Sequence, residues 1–155
     1  MKKTLKTNKV LSVYRILSQA KYTKLEDADK IKVWKVARKL APVATKFEED
    51  TEDAAKKLKP CEDFDAKFQK AQEYERLRQS GQPTIDIMTN AEYKEFIESV
   101  LKPYNNLMAD AIKEFGEKEV KVEFEPISED AFGKLLASNE WNMAQTVEIG
   151  NLIVE

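Results

Sequence analysis

Histidine is absent from this 155-residue chain, which removes the commonest general base, the usual partner of a nucleophilic Ser or Cys, and the commonest zinc ligand. Any reaction would have to run on carboxylates, Lys, Tyr or Cys alone. A single cysteine, Cys61, excludes an internal disulfide and a cysteine-based metal centre. Four glycines are too few and too scattered for a phosphate-cradling loop of the GxxxxGK or GxGxxG kind, and with only five prolines they argue against an all-β fold of many turns. No apolar run approaches the roughly 18 residues of a transmembrane span. The lysine-rich beginning is broken by Lys9, Arg15 and Lys21 and has no small-residue cleavage site, so it does not read as a secretion signal. A cytosolic protein is the simplest reading.

What is present is charge. Charged residues make up 35% of the chain and apolar residues 42%, the balance of a globular protein whose helices expose wide faces to water. The signs are separated along the sequence: residues 1–46 hold 13 Lys/Arg against 3 Asp/Glu, and residues 47–155 hold 13 against 25, within a total of −2. Such a division is expected to polarise the molecule and to influence what it attracts.

Apolar spacing predicts mostly helix. A first helix opens after Thr7 or Asn8 on Val10, Val13, Tyr14 and Leu17. From about residue 26 to Leu58 the positions Val33, Ala37, Leu40, Ala44, Phe47, Thr51, Ala54 and Leu58 alternate steps of four and three, with Ile31 and Trp34 leading in. Pro42 is expected to kink this helix and Lys59-Pro60 to stop it. A third helix carries Phe64, Phe68, Ala71, Tyr74 and Leu77 and ends in the loop at Gly81. Thr89-Asn90-Ala91-Glu92 spells a capping box for a second long helix on Tyr93, Ile97, Val100, Tyr104, Leu107, Ala111 and Phe115, interrupted by Pro103 and stopped by Gly116. Val120, Val122 and Phe124 alternate with charged residues as a strand over 120–125, for which residues 84–88 are the expected partner. Ser128 caps a short helix on Phe132, Leu135 and Leu136. Residues 141–155 allow either a helix capped by Asn142 or a hairpin at Gly150-Asn151, and the helix is favoured. The expected architecture is one mainly α domain over 1–155: a helical bundle of two long kinked amphipathic helices and shorter ones over 8–116, a minor β element near 84–88 and 120–125, and a small α+β appendage over 117–155.

Two acidic runs, Glu48 to Asp53 and Glu62 to Asp65, could suggest a divalent metal site, but without histidine or the spacing of a calcium loop they read as solvated helix faces and helix starts. Cys61 beside Pro60 could be a reactive thiol at a helix start; more often a lone cysteine is a small packing residue. The basic half carries the stronger signal. Lys32, Lys35, Lys39 and Lys46 fall at helical spacing on the side opposite the apolar stripe, joined by Arg38, where they could face phosphates or an acidic surface. The aromatic residues, Trp34 among them, mostly lie at core spacing. Trp141 follows a helix stop and either anchors the last segment or waits for a partner. The candidate interaction face is therefore Lys32, Lys35, Arg38, Lys39, Lys46 and Trp141, with no catalytic, metal or cofactor residue expected.

The segments KYTKLEDADKIKVWKVARKL and PISEDAFGKLLASNEWNMAQTVEIGNLIVE, with the acidic Phe47-Glu48-Glu49 between them, resemble the small uncharacterised helical proteins encoded by tailed phages and prophages. The resemblance lies in pattern and length over most of the chain and carries no site residues. It implies a non-enzymatic role in virion structure or assembly, in the bacterial host cytoplasm or on the virion, with protein subunits as partners, self-association included. The alternative is a nucleic-acid-binding accessory that uses the Lys-rich face. No membrane, cofactor or small-molecule partner is expected.

Overall fold

Lys2–Lys6, a mere basic tip in the sequence, alternates outward lysines with half-buried Lys3 and Leu5 and forms strand β1. It pairs antiparallel with β2, Glu119–Glu123, in a register that sets Lys2 opposite Glu123 and Lys6 opposite Glu119 on the outer face. Opposite charges directly across a pair of strands favour that register, while Leu5, Val120 and Val122 turn to the core. The expected partnership with residues 84–88 is thereby corrected. That segment is a turn, in which the amides of Ile87 and Met88 donate to the carbonyl of Thr84, and Met88 drops into a separate core.

The computed structural model describes residues 1–155 and is mainly helical around this small sheet. The helices are α1 (Thr7–Ser18), α2 (Asp27–Lys57), α3 (Phe64–Gln79), α4 (Asn90–Phe96), α5 (Lys102–Glu117), α6 (Glu129–Ala137) and α7 (Met143–Ile153). No helix is long and apolar enough to cross a membrane. The chain divides into two compact units, residues 1–50 with 114–155 and residues 51–113, the divisions falling inside α2 and α5.

The core of the first unit is closed by the end of the chain. Val10, Val13 and Leu17 of α1 and Val33, Val36 and Leu40 of α2 meet Leu135 of α6 and Ile149, Leu152 and Ile153 of α7. Residues 117–155, expected as an appendage, supply eight of the fifteen buried residues in this cluster. The reason is physical: their apolar positions come in short pieces, none able to bury itself, and together they cover the open side of α1 and α2. α2 runs through Pro42. Pro42 and Arg38 both lie on the exposed side, so the carbonyl that loses its helical donor can turn to water.

The last segment is the helix rather than the hairpin. Asn142 Oδ1 accepts from the Gln145 amide at 2.9 Å and Gln145 Oε1 accepts from the Asn142 amide at 3.0 Å, a reciprocal capping box. At the other end Lys3 Nζ donates to the carbonyls of Asn151 and Leu152 at 2.7 and 2.9 Å, placing a cation on the negative end of α7. Gly150 serves packing rather than a turn: the Phe132 ring lies 3.1 Å from where a Cβ would stand. α6 ends in a similar clamp, where Asn139 Oδ1 accepts from the Lys21 amide at 2.8 Å and Asn139 Nδ2 donates to the Lys21 carbonyl at 2.9 Å.

The second unit is built on aromatic rings. Phe64, Ala71, Tyr74, Met88 and Phe96 form its core. Phe64 meets Tyr104 at 4.7 Å between centroids and Phe96 at 6.0 Å, and Tyr74 stacks on Tyr93 at 4.4 Å. Each tyrosine hydroxyl donates: Tyr74 to Asn90 Oδ1, Tyr93 to Glu75 Oε2 and Tyr104 to the carbonyl of Ala55. The second long helix, expected unbroken but for a kink, instead passes through five residues of π geometry, Ile97–Leu101. Pro103 lacks the amide that Ser99 would otherwise receive, and a wider turn immediately before it accommodates the loss.

Candidate interaction face

The basic run folds together with the last part of the acidic one. Residues 1–50 hold 13 Lys/Arg and 6 Asp/Glu, and residues 114–155 hold 3 and 10, so the first unit carries sixteen of each sign. Lys2–Glu123 at 3.7 Å, Lys6–Glu117 at 2.5 Å and Lys134–Glu26 at 3.8 Å connect the two segments. Glu117 therefore holds the Lys6 ammonium's pKa above its ordinary value, first through their hydrogen bond. These pairs are exposed and individually contribute little; their meaning is that the polarity written along the sequence is largely matched inside this unit.

The matching leaves one group of cations on α2 unused. None of the ion pairs involves Lys32, Lys35, Arg38 or Lys39. Lys35, Arg38 and Lys39 are exposed and Lys32 is half-buried. Lys46 does not join them as a free charge, since it pairs with Asp50 at 3.2 Å. Trp141 lies elsewhere, half-buried against the first unit's core, where it anchors the entry to α7.

Two residues missing from the expected face complete it. Ile31 is 53% exposed and Trp34 55% exposed, although apolar spacing places both at the start of the core stripe. The buried line of α2 is Val33, Val36, Leu40 and Ala44, which turns Ile31 and Trp34 outward. The Arg38 guanidinium stands 5.3 Å from the Trp34 ring centroid, one turn on, a cation–π contact that holds both side chains in place. Positions 31, 34, 35 and 38 fall at helical spacing, and this pattern was the available signal. The face thus combines an aliphatic residue, an exposed indole, a stacked guanidinium and free ammonium groups on a rigid helix.

No group of three or more Cys, Asp and Glu side chains is placed to hold a metal ion. The Cys61 thiol is hydrogen-bonded to Asp63, which raises the thiol's pKa and lowers that of the carboxyl; this is the opposite of an activated thiolate. Comparison of the chain with protein-family models, curated proteins and solved structures gives no match.

Proposed function

We propose that this chain is a non-enzymatic interaction protein that docks an acidic, partly apolar protein surface on the outward face of α2. The single observation that carries this reading is Trp34, half exposed on a helix with Arg38 stacked on it and Ile31 beside it. Trp and Arg dominate binding hot spots because a large rigid ring and a planar cation lose little freedom on being covered. Covering such a ring contributes on the order of 2 kcal/mol or more to a complex. The unpaired Lys32, Lys35 and Lys39 around it select a partner of negative potential and speed the encounter. The resemblance in pattern to phage and prophage proteins supports a partner that is a subunit of a virion or of its assembly apparatus in the host cytoplasm.

A second reading, a nucleic-acid accessory, is favoured by the same four unpaired cations within about two helical turns. The two separate in one experiment. The tagged chain is purified from its native cells with and without nuclease treatment, beside Trp34→Ala and Arg38→Glu variants. A protein partner retained through nuclease and lost in both variants supports the proposal. A partner released by nuclease supports the second reading, and retention by both variants refutes the face.

A further inference from the structure

β1, α1 and α7 of the first unit enclose a groove of about 650 Å³. Its floor is apolar, formed by Leu5, Val13 and Leu152. α7 forms one wall of the groove with Met143, 76% exposed, and Val147, 50% exposed. The polar residues of the groove include one cation, Lys9, which makes no ion pair, and one anion, Glu148, whose carboxylate accepts only from Ser12 Oγ at 2.9 Å. Both charges are therefore free to pair across an interface.

One continuous surface thus carries two projecting apolar side chains, a hollow of similar character, and one unused charge of each sign. That set is self-complementary. In a two-fold arrangement residue i of one copy meets residue j of the other and the reverse holds at once. Met143 and Val147 of each copy then enter the hollow of its partner, and Lys9 faces Glu148 twice. A foreign partner would need an independent reason to carry the same opposed charges. We propose that this groove takes a second copy of the chain and that the protein forms a two-fold dimer through α7. No residue is shared with the α2 face, so either proposal can fail without the other.

Sedimentation velocity from about 10 µM to about 1 mM tests it, with circular dichroism melts confirming that each variant is folded. The expected result is a dimer fraction that rises with concentration and falls with salt. Met143→Lys abolishes the dimer; the side chain is largely in solvent, so the fold persists. Lys9→Glu alone and Glu148→Lys alone each weaken the dimer by about tenfold or more, because like charges are set face to face twice. The double charge exchange returns it to within about threefold of the starting value. A monomer at every concentration overturns the proposal, including one whose groove takes up an added apolar peptide. So does a dimer indifferent to Met143→Lys, or one that the double exchange does not restore.

Discussion

Ile149→Ala examines whether the end of the chain is structural. Ile149 is 0% exposed and projects from α7 into the cluster that holds Val10, Val33 and Leu135. The substitution removes three carbons, worth about 2.4 kcal/mol at roughly 0.8 kcal/mol per buried methylene. The cavity left behind adds to this, so the expected loss is about 3 to 4 kcal/mol. The assay is urea unfolding followed by Trp fluorescence. Both tryptophans, Trp34 and Trp141, belong to the first unit, and a Trp34→Phe background leaves Trp141, packed on this core, as the reporter. The midpoint should fall with the slope unchanged. Met143→Ala, on the same helix but outward, should stay within about 0.5 kcal/mol. A loss below about 1 kcal/mol for Ile149→Ala, or equal losses for the two, would refute the placement of α7 in the core.

Gly133 and Gly150 both sit within helices, yet only Gly150 has a ring close to where a Cβ would stand, so Gly133→Ala should stabilise by about 0.5 to 1 kcal/mol while Gly150→Ala falls about 1 kcal/mol or more below it in the same melts. Lys3→Met keeps the aliphatic stem and removes two bonds to the end of α7, and should cost about 1 to 2 kcal/mol by urea unfolding. In the second unit a hydrogen bond from the Cys61 thiol, aided by Lys67, holds the Asp63 carboxyl below its ordinary range, Arg76 does so for Glu73, and Arg78, with Tyr93, for Glu75. Carboxyls depressed in the folded state add stability that is fully present above their unfolded values of 3.8 and 4.5 and is lost as pH falls through the folded ones. Tyrosine circular dichroism should therefore show this unit melting earlier below about pH 4, and Glu73→Gln with Glu75→Gln should flatten that dependence.

Helix content was legible because caps and periodicity agree locally: Thr89, Ser128 and Asn142 each accept a bond from the amide three residues on. β1 was not legible. Its five residues have a single apolar side chain, Leu5, and its structure comes from pairing with β2 more than a hundred residues away. The same distance hid the role of residues 117–155, since no local pattern announces which face of α1 a later helix will cover. On α2 the lysines are readable as an outward line, but apolar character alone places Ile31 and Trp34 inward. A shift of the buried line to include Val36 was enough to turn them out. Trp141 was readable as an anchor or as an exposed handle, and only the packing against the core decides between them.

Whether the outward face of α2 meets a protein can be read from a photo-crosslinking amino acid placed at Trp34 and, as control, at Ile85, which is 78% exposed in the second unit. In native cells a discrete protein adduct is expected from position 34, absent from position 85, resistant to nuclease, and lost when Lys35→Glu and Arg38→Glu are added. Adducts of equal yield from both positions, or none from position 34, would contradict it.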